Sequence, residues 1–259
     1  MSWPGMIWIG GAPGAGKSTI ARQLARELDL PLHPVDLWTY DHVGRMPAQR
    51  PLEEDLAEGP EVAAEAFVRI ARLRIELVVE DVRARELGDV PALVEGPQLY
   101  PSMVADGVRA AAWLMPDAEQ TRRAREARLA RVEDARGRAR LEGLLARDAL
   151  LANRVRQETT QYGQTLIEVA ADPDWSAITA AVRTALGPQH QLPPGSQLAR
   201  QRSIENNAAS RQIRLWLADI AVAEQQPYPF ACECGRSGCA LTVSETPDEY
   251  DARGADAHH

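Results

Sequence analysis

Gly11-Ala-Pro-Gly-Ala-Gly-Lys-Ser18 is the stretch on which the interpretation of this chain depends. It fits the phosphate-loop pattern G-x-x-x-x-G-K-[ST] in full, between a short apolar run (residues 6–9) and an amphipathic helical pattern (residues 18–28). Glycines at these positions let backbone N–H groups converge on phosphate oxygens, and a helix that begins near Lys17 directs the positive end of its dipole at the same oxygens. The stretch therefore predicts a loop that binds the polyphosphate of a nucleotide.

The lysine of this loop is the only lysine in the sequence, because every other basic residue among the 29 is an arginine. An ammonium is a compact point charge that a planar guanidinium does not reproduce. We expect Lys17 to contact the β- and γ-phosphates of ATP and the hydroxyl of Ser18 to bind Mg²⁺. The residues predicted to bind the cofactor are Gly11, Ala12, Gly14, Ala15, Gly16, Lys17, Ser18 and Thr19.

Composition narrows the class of protein. A formal net charge of −8 and a pI of about 5.3 argue against general attraction to nucleic acid or to an anionic membrane. No apolar run reaches the roughly 20 residues of a membrane-spanning helix, and the first residues lack the basic region of a signal peptide. The three cysteines, Cys232, Cys234 and Cys239, are too few for a secreted disulfide scaffold. We therefore expect a cytoplasmic protein.

Apolar runs alternate with helical patterns through the first 187 residues. Strands are predicted at residues 6–9, 32–35, 92–94, 110–115 and 165–169. Helices are predicted at residues 18–28, 61–87, 122–140, 144–162 and 175–186, and residues 37–60 are predicted to be irregular. The alternation predicts an α/β domain over residues 1–187, with a parallel sheet covered on both faces. Residues 188–198, rich in Pro and Gly, are the predicted linker to a small α+β C-terminal module at 199–259.

Two carboxylates follow predicted strands and are expected near the phosphate loop. Glu95 ends the third strand, and the carboxyl ends of parallel strands meet at the ligand crevice, so we assign it to Mg²⁺. Asp36 ends the second strand and is our candidate for the base that accepts a proton from a substrate hydroxyl. The alternatives are a solvated carboxylate for Glu95 and a turn or helix cap for Asp36. Asp41 and His42 are weaker candidates for substrate contacts.

Eight arginines between residues 122 and 140 form a basic stretch, which we assign to a lid over about residues 118–143. One guanidinium group can bind two phosphate oxygens at once. Arginines therefore suit the negative charge that develops during phosphoryl transfer. Arg125 is the candidate lid arginine, and Arg147 is a second candidate held by the adjacent Asp148. The alternative is a solvated helix whose arginines pair with nearby acidic residues, such as Arg122 with Glu126.

Residues 1–187 resemble the P-loop small-molecule kinases, a family that includes shikimate and gluconate kinases, nucleoside monophosphate kinases and chloramphenicol phosphotransferase. The matching segments are GAPGAGKST (11–19), Asp36, VEGPQLYP (94–101), WLMPD (113–117), LARDALLANRV (145–155) and LIEV (166–169). The resemblance implies a three-layer P-loop NTPase fold with sheet order 2-3-1-4-5, a mobile lid and adenine contacts near residues 170–172. It also implies that Asp36 is the catalytic base, as in the chloramphenicol phosphotransferase branch. The D-G-[FY]-P-R signature of nucleotide kinases is absent, which disfavours a nucleotide acceptor.

The three cysteines are all close together near the end of the chain. Thiolates at Cys232, Cys234 and Cys239 would suit Zn²⁺, which prefers four ligands, with His258, His259 or Glu233 as the candidate fourth. The alternative is a hairpin around Gly235 and Gly238 with reduced thiols. The surrounding segment resembles a short module of uncharacterised bacterial proteins, which implies a boundary and no chemistry.

Together these features predict an ATP-dependent phosphotransferase that moves the γ-phosphoryl group to a hydroxyl of a small molecule. One alternative is a nucleotide-dependent regulatory or binding ATPase whose C-terminal module contacts a protein partner. Another is a polynucleotide 5′-hydroxyl kinase, which the arginines favour and the overall negative charge disfavours.

Overall fold

The computed structural model describes residues 5–104, 108, 110–128, 135–222 and 225–253. Five parallel strands form the main sheet in the order β2-β3-β1-β4-β5. These strands are β1 (Met6–Gly11), β2 (Leu32–Pro34), β3 (Ala92–Glu95), β4 (Ala110–Pro116) and β5 (Thr165–Val169). The predicted α/β class and the strand order implied by the resemblance are confirmed.

Ten helices accompany these strands within the described residues. They are α1 (Lys17–Glu27), α2 (Thr39–Arg45), α3 (Leu52–Glu58), α4 (Pro60–Arg83), α5 (Pro101–Val104), α6 (Ala118–Arg128), α7 (Ala135–Gln161), α8 (Trp175–Leu186), α9 (Ser196–Asp219) and α10 (Pro247–Arg253). None of these helices is long and apolar enough to cross a membrane.

Alternation of side chains along each strand divides the core into two layers. Met6 and Trp8 of β1 pack on one face of the sheet with apolar residues of α4 and α7. Ile7 and Ile9 pack on the other face with apolar residues of α1 and α8. Because both faces are covered, β1, β3 and β4 are buried along most of their length, and the carboxyl ends of the strands are left to form the site.

The segment predicted to be irregular, residues 37–60, is largely helical. A short 3-10 helix (Val35–Trp38) leads into α2, and α3 follows after an extended stretch. That prediction was wrong because α2 and α3 have only seven residues each, too few for a periodic pattern to stand out. The predicted break between residues 140 and 144 is also absent, since α7 continues through Gly143.

The C-terminal part consists of α9, an antiparallel pair of strands and α10. The paired strands are β6 (Tyr228–Ala231) and β7 (Thr242–Glu245). The start of α10 has a capping box. The hydroxyl of Thr246 accepts from the N–H of Glu249, whose carboxylate accepts in return from the N–H of Thr246.

The C-terminal part packs closely against the edge of the main sheet. Glu205 of α9 lies 2.9 Å from Arg26 of α1 and accepts a 2.9 Å hydrogen bond from the backbone N–H of Leu32 in β2. Arg202 donates to the carbonyl oxygens of Ala25 and Leu30. The predicted domain (1–187) and the predicted module (199–259) therefore contact each other through buried polar and charged side chains.

Candidate functional site

The phosphate loop has the tight geometry that its glycines predict. Gly16 has a φ of 75°, and a side-chain carbon there would lie 2.4 Å from the ring of Trp175. Gly11 has a φ of 120°, and a side-chain carbon there would lie 2.0 Å from the carbonyl oxygen of Leu114. Both conformations favour glycine. Glycine at these two positions thus allows the loop backbone to pack directly against β4 at Gly11 and against Trp175 of α8 at Gly16.

Lys17 and Ser18 begin α1 at the edge of this loop. The Lys17 side chain is buried, and its Nζ donates a 2.7 Å hydrogen bond to the carbonyl oxygen of Ala12. The ammonium therefore lies inside the curve of the loop, where the phosphates of a nucleotide would contact it. Ser18 lies near Glu95, and its hydroxyl acts to lower the pKa of that carboxyl.

Glu95 ends β3 and is buried at the floor of the same crevice. Burial, followed by the nearby charge of Asp36, raises the pKa of Glu95 to about 7, and Lys17 and Ser18 oppose this shift. A carboxylate and a hydroxyl are oxygen ligands of the kind that Mg²⁺ prefers, usually together with phosphate oxygens and water. The residues present therefore fit the predicted magnesium site.

Asp36 lies in the 3-10 helix just after β2, which ends at Pro34, and it lines the same cleft as the phosphate loop. Its Oδ1 accepts a 2.9 Å hydrogen bond from Nε2 of Gln98. Arg74 of α4 supports the same segment, since its guanidinium donates to the carbonyl oxygen of Val35 at 2.5 Å and contributes a positive charge near Asp36. Asp36 is therefore held by Gln98 and by the support that Arg74 gives to the 3-10 helix in which it lies.

Two predicted arginines converge on one buried carboxylate. Asp148 has a fully buried side chain and lies 2.6 Å from Arg125 of α6 and 2.8 Å from Arg147 of α7. The Arg147 guanidinium also lies over the ring of Phe67, 5.3 Å from its centroid. Asp148 thus holds both arginines at the cleft.

These groups surround one cleft of about 460 Å³. Its lining residues are Pro13, Gly14, Ala15, Gly16, Lys17, Ser18, Thr19, Asp36, Leu52, Phe67, Glu95, Pro97, Gln98, Arg125, Arg140, Leu144 and Arg147. Of the residues predicted to bind the cofactor or Mg²⁺ or to act in catalysis, Gly11 and Ala12 do not line it and are buried behind the loop.

The weaker candidates lie outside this cleft. Asp41 pairs with Arg45 and Arg211, and His42 is buried between Asp81 and Arg74. Within the predicted lid, residues 129–134 lie outside the described residues. The predicted adenine region at 170–172 contacts the lid helix, because Arg123 donates to the carbonyl oxygen of Ala171.

Sequence reasoning missed several residues of the cleft. Gln98 belongs to the VEGPQLYP segment, but nothing in the nearby sequence predicts its contact with Asp36. Phe67 and Leu144 belong to helical patterns that indicate only packing. The link from Asp148 to Arg147 was predicted, whereas the second link to Arg125 was not.

At the C-terminal end, Cys232, Cys234 and Cys239 are free thiols that cluster together. They lie in the connection of an antiparallel hairpin, as the alternative interpretation expected. Glu233, a candidate fourth ligand, is instead bound to Asn206 and Tyr250. His258 and His259 lie outside the described residues.

Comparison with known proteins gives one short match and several distant structures. No protein-family model matches the chain. A shikimate kinase of Rhodococcus jostii is 46% identical over 56 residues, which is 18% of this chain. The chain spans about a third of that curated relative, 33% of its length.

Solved structures similar to the chain include shikimate kinases. One is from Bacteroides thetaiotaomicron, with 17% identity, a TM-score of 0.36, and coverage of 70% of this chain and 98% of that one. Another, from Acinetobacter baumannii in complex with shikimate, has 13% identity, a TM-score of 0.35, and coverage of 80% and 94%. An uncharacterized protein from Eubacterium ventriosum has 13% identity, a TM-score of 0.42, and coverage of 69% and 96%.

Proposed function

We propose that this protein is an ATP-dependent phosphotransferase that transfers the γ-phosphoryl group to a hydroxyl of a small molecule. The observation that carries the proposal is the convergence of three kinds of group on one cleft. These are a phosphate loop with its lysine, a hydroxyl and carboxylate suited to Mg²⁺, and a second carboxylate facing them.

The nucleotide side of the cleft is assigned to the phosphate loop. Main-chain amides of the loop and the ammonium of Lys17 would bind the phosphates. Ser18 and Glu95 would hold Mg²⁺, which supplies positive charge to the bridging phosphate oxygens when it is bound. A divalent cation beside Glu95 would favour the ionised form of this buried carboxyl and would oppose the rise of its pKa to about 7.

The acceptor side is assigned to the region around Asp36. Asp36 would orient the acceptor hydroxyl and take its proton. Leu52, Phe67 and Leu144 add apolar side chains to the lining of the cleft, which suit the carbon frame of a small molecule.

Arg125 and Arg147 are assigned to the charge that develops during transfer. Phosphoryl transfer depends mainly on positioning and on cations around the transferred group. Both arginines line the cleft and are held by Asp148, so their orientation is fixed before a nucleotide arrives.

The short match to a curated shikimate kinase supports a small-molecule kinase. It covers too little of either chain to identify the acceptor, which we define only as a small molecule bearing a hydroxyl. A nucleotide acceptor is disfavoured because Gln98 stands where the nucleotide kinases have the arginine-containing signature.

A screen for phosphorylated product tests the proposal. The chain is incubated with ATP, Mg²⁺ and a panel of small alcohols that includes shikimate and hydroxyl-bearing antibiotics, and products are detected by mass. We expect one acceptor to gain a phosphoryl group, and we expect Asp36→Asn to abolish the gain while ATP binding persists. Asp41→Asn is the matched control, since Asp41 lies outside the cleft and should retain activity.

Other outcomes would identify the competing functions. Acceptor-independent ATP hydrolysis together with nucleotide-dependent capture of a protein would indicate a regulatory ATPase. Labelling of a 5′-hydroxyl oligonucleotide would indicate a polynucleotide kinase. Product formation that survives Asp36→Asn would remove Asp36 as the base.

A further inference from the structure

The connection between β6 and β7 contains every cysteine of the chain. Cys232 directly follows β6, Cys234 lies two residues later, and Cys239 precedes β7. Their three sulfur atoms lie within 4.8 Å of one another. We infer that these three residues form a metal site that binds one Zn²⁺ through three thiolates, a site distinct from the nucleotide cleft.

The spacing of the sulfur atoms fits an ion at their centre. Thiolates bind Zn²⁺ at about 2.3 Å in a tetrahedral site, which places two sulfur ligands roughly 3.8 Å apart. A disulfide requires about 2.05 Å between two sulfurs and would leave the third thiol without a partner. Three converging free thiols are therefore better explained by one shared cation.

The backbone turns sharply between the cysteines, because Gly235 and Gly238 have φ values of 65° and 66°, which glycine adopts without strain. This turn brings the three sulfurs to one place.

Zn²⁺ would displace the protons of the three thiols, because a metal binds the thiolate form.

The charge of the site can be balanced locally. Three thiolates and one Zn²⁺ carry a net charge of about −1, and the positive charge of Arg236 acts on Cys234. Among the described residues, no further His, Cys, Asp or Glu joins the three sulfurs. Glu233 is engaged by Asn206 at 2.6 Å and by Tyr250 at 2.9 Å, so the fourth position is assigned to water.

The cysteine loop also contacts the P-loop part of the chain. The carboxylate of Asp29, just after α1, accepts hydrogen bonds from the hydroxyl of Ser237 and, at 2.9 Å, from the N–H of Gly238. The N–H of Gly195 donates to the carbonyl oxygen of Gly235 at 2.8 Å. A bound ion would therefore rigidify a loop that joins the two parts.

Metal analysis of the full chain tests the site. The protein is purified under reducing conditions, equilibrated with Zn²⁺, freed of excess ion and analysed for zinc by mass spectrometry. We expect about one Zn²⁺ per chain, and the loss of zinc in each of Cys232→Ser, Cys234→Ser and Cys239→Ser. Ser237→Ala is the matched control, because it removes a contact of the same loop but none of the sulfurs.

Co²⁺ provides a second readout that does not depend on the variants folding. Adding Co²⁺ to the metal-free parent should produce an intense thiolate-to-cobalt charge-transfer band that Zn²⁺ abolishes. Deleting residues 254–259 should leave zinc content unchanged, since the site needs no histidine from the tail. Absence of zinc and of the cobalt band in the reduced parent, or zinc loss on deleting the tail, would overturn the inference.

Discussion

Gln98 donates a 2.9 Å hydrogen bond from Nε2 to Oδ1 of Asp36, although 62 residues separate them in sequence. The bond spans the crevice between the ends of β2 and β3, and it fixes the carboxylate that we propose as the base. The Oε1 atom of Gln98 is buried and accepts no hydrogen bond from the described residues.

The first prediction concerns this pair. Asp36→Asn should lower kcat/KM for the acceptor by about 10²- to 10⁴-fold, the usual contribution of a general base, with little change in ATP affinity. Gln98→Leu keeps a side chain of similar volume but removes the group that donates to Asp36. It should lower kcat by a smaller factor than Asp36→Asn. Steady-state kinetics with the identified acceptor measure both effects. A wild-type rate in Asp36→Asn would contradict the assignment.

The second prediction concerns the ammonium in the phosphate loop. Lys17→Ala should weaken ATP binding about 10- to 100-fold, because a charged hydrogen bond to phosphate contributes about 1.5–3 kcal/mol. Lys17→Arg keeps the positive charge but not its compact shape, and it should not restore full affinity. Calorimetric titration with ATP measures both variants. Equal affinity in the parent and in Lys17→Ala would remove the lysine from the site.

The third prediction concerns the carboxylate shared by two arginines. Asp148→Asn leaves Arg125 and the buried Arg147 without a counter-charge, so it should lower the free energy of unfolding by about 3–5 kcal/mol. It should also lower kcat, because both guanidinium groups lose their fixed orientation. Urea unfolding and steady-state kinetics measure the two effects.

A double-mutant cycle separates a shared role from a local one. Arg125→Ala and Asp148→Asn should be non-additive in kcat, since each removes the same contact. Additive losses would indicate that Asp148 does not act through Arg125.

The fourth prediction concerns the pH dependence of stability. His33 is fully buried, and burial followed by the charge of Arg85 lowers its pKa well below the usual value. The unfolded chain therefore binds a proton near pH 6.5 that the folded chain does not, and the free energy of unfolding falls as pH drops. The slope from this group is about 1.4 kcal/mol per pH unit below about pH 6.5.

Variants at two histidines test this pH dependence. Arg85 approaches Nδ1 of His33 at 2.9 Å, and His33→Asn keeps an acceptor for it. This variant should reduce the slope of the free energy of unfolding against pH by the contribution of about one proton. His190→Asn changes an exposed histidine and should leave the slope as it is. Urea unfolding between about pH 7.5 and about pH 5.5 measures the slopes. Identical slopes in the parent and in His33→Asn would contradict the prediction.

The fifth prediction concerns the contact between α9 and the main sheet. Glu205→Ala leaves Arg26, Arg202 and the N–H of Leu32 without their acceptor, and it should cost about 3–5 kcal/mol. Glu205→Gln retains an acceptor oxygen and should cost less. Chemical unfolding measures both variants. Glu142→Gln, in an exposed pair with Arg122, is the control and should change stability by less than about 1 kcal/mol.

Much of the fold was predictable because its signals are local. The phosphate loop is a continuous motif, and β1 and β3 are apolar runs that end in glycine and glutamate. Asp36 and Glu95 could be assigned to one crevice because the carboxyl ends of parallel strands meet there. Their chemical roles stay predictions, although the geometry brings them together.

The remaining features depend on contacts that no local pattern encodes. Helices α2 and α3 are too short for periodicity, and prolines at 47 and 51 favoured an irregular interpretation. Glu205 meets Arg26 across 179 residues of sequence, and nothing near either residue indicates the other. A charged residue in an amphipathic helix is ordinarily assigned to solvent, so its burial becomes visible only in the folded chain.

The ion pair between α1 and α9 also constrains how this chain can have changed over evolutionary time. Arg26 is buried and paired with Glu205 of α9, so a chain without the residues after 196 would carry an unpaired guanidinium at this position. We therefore expect homologues that lack the C-terminal part not to conserve an arginine at position 26.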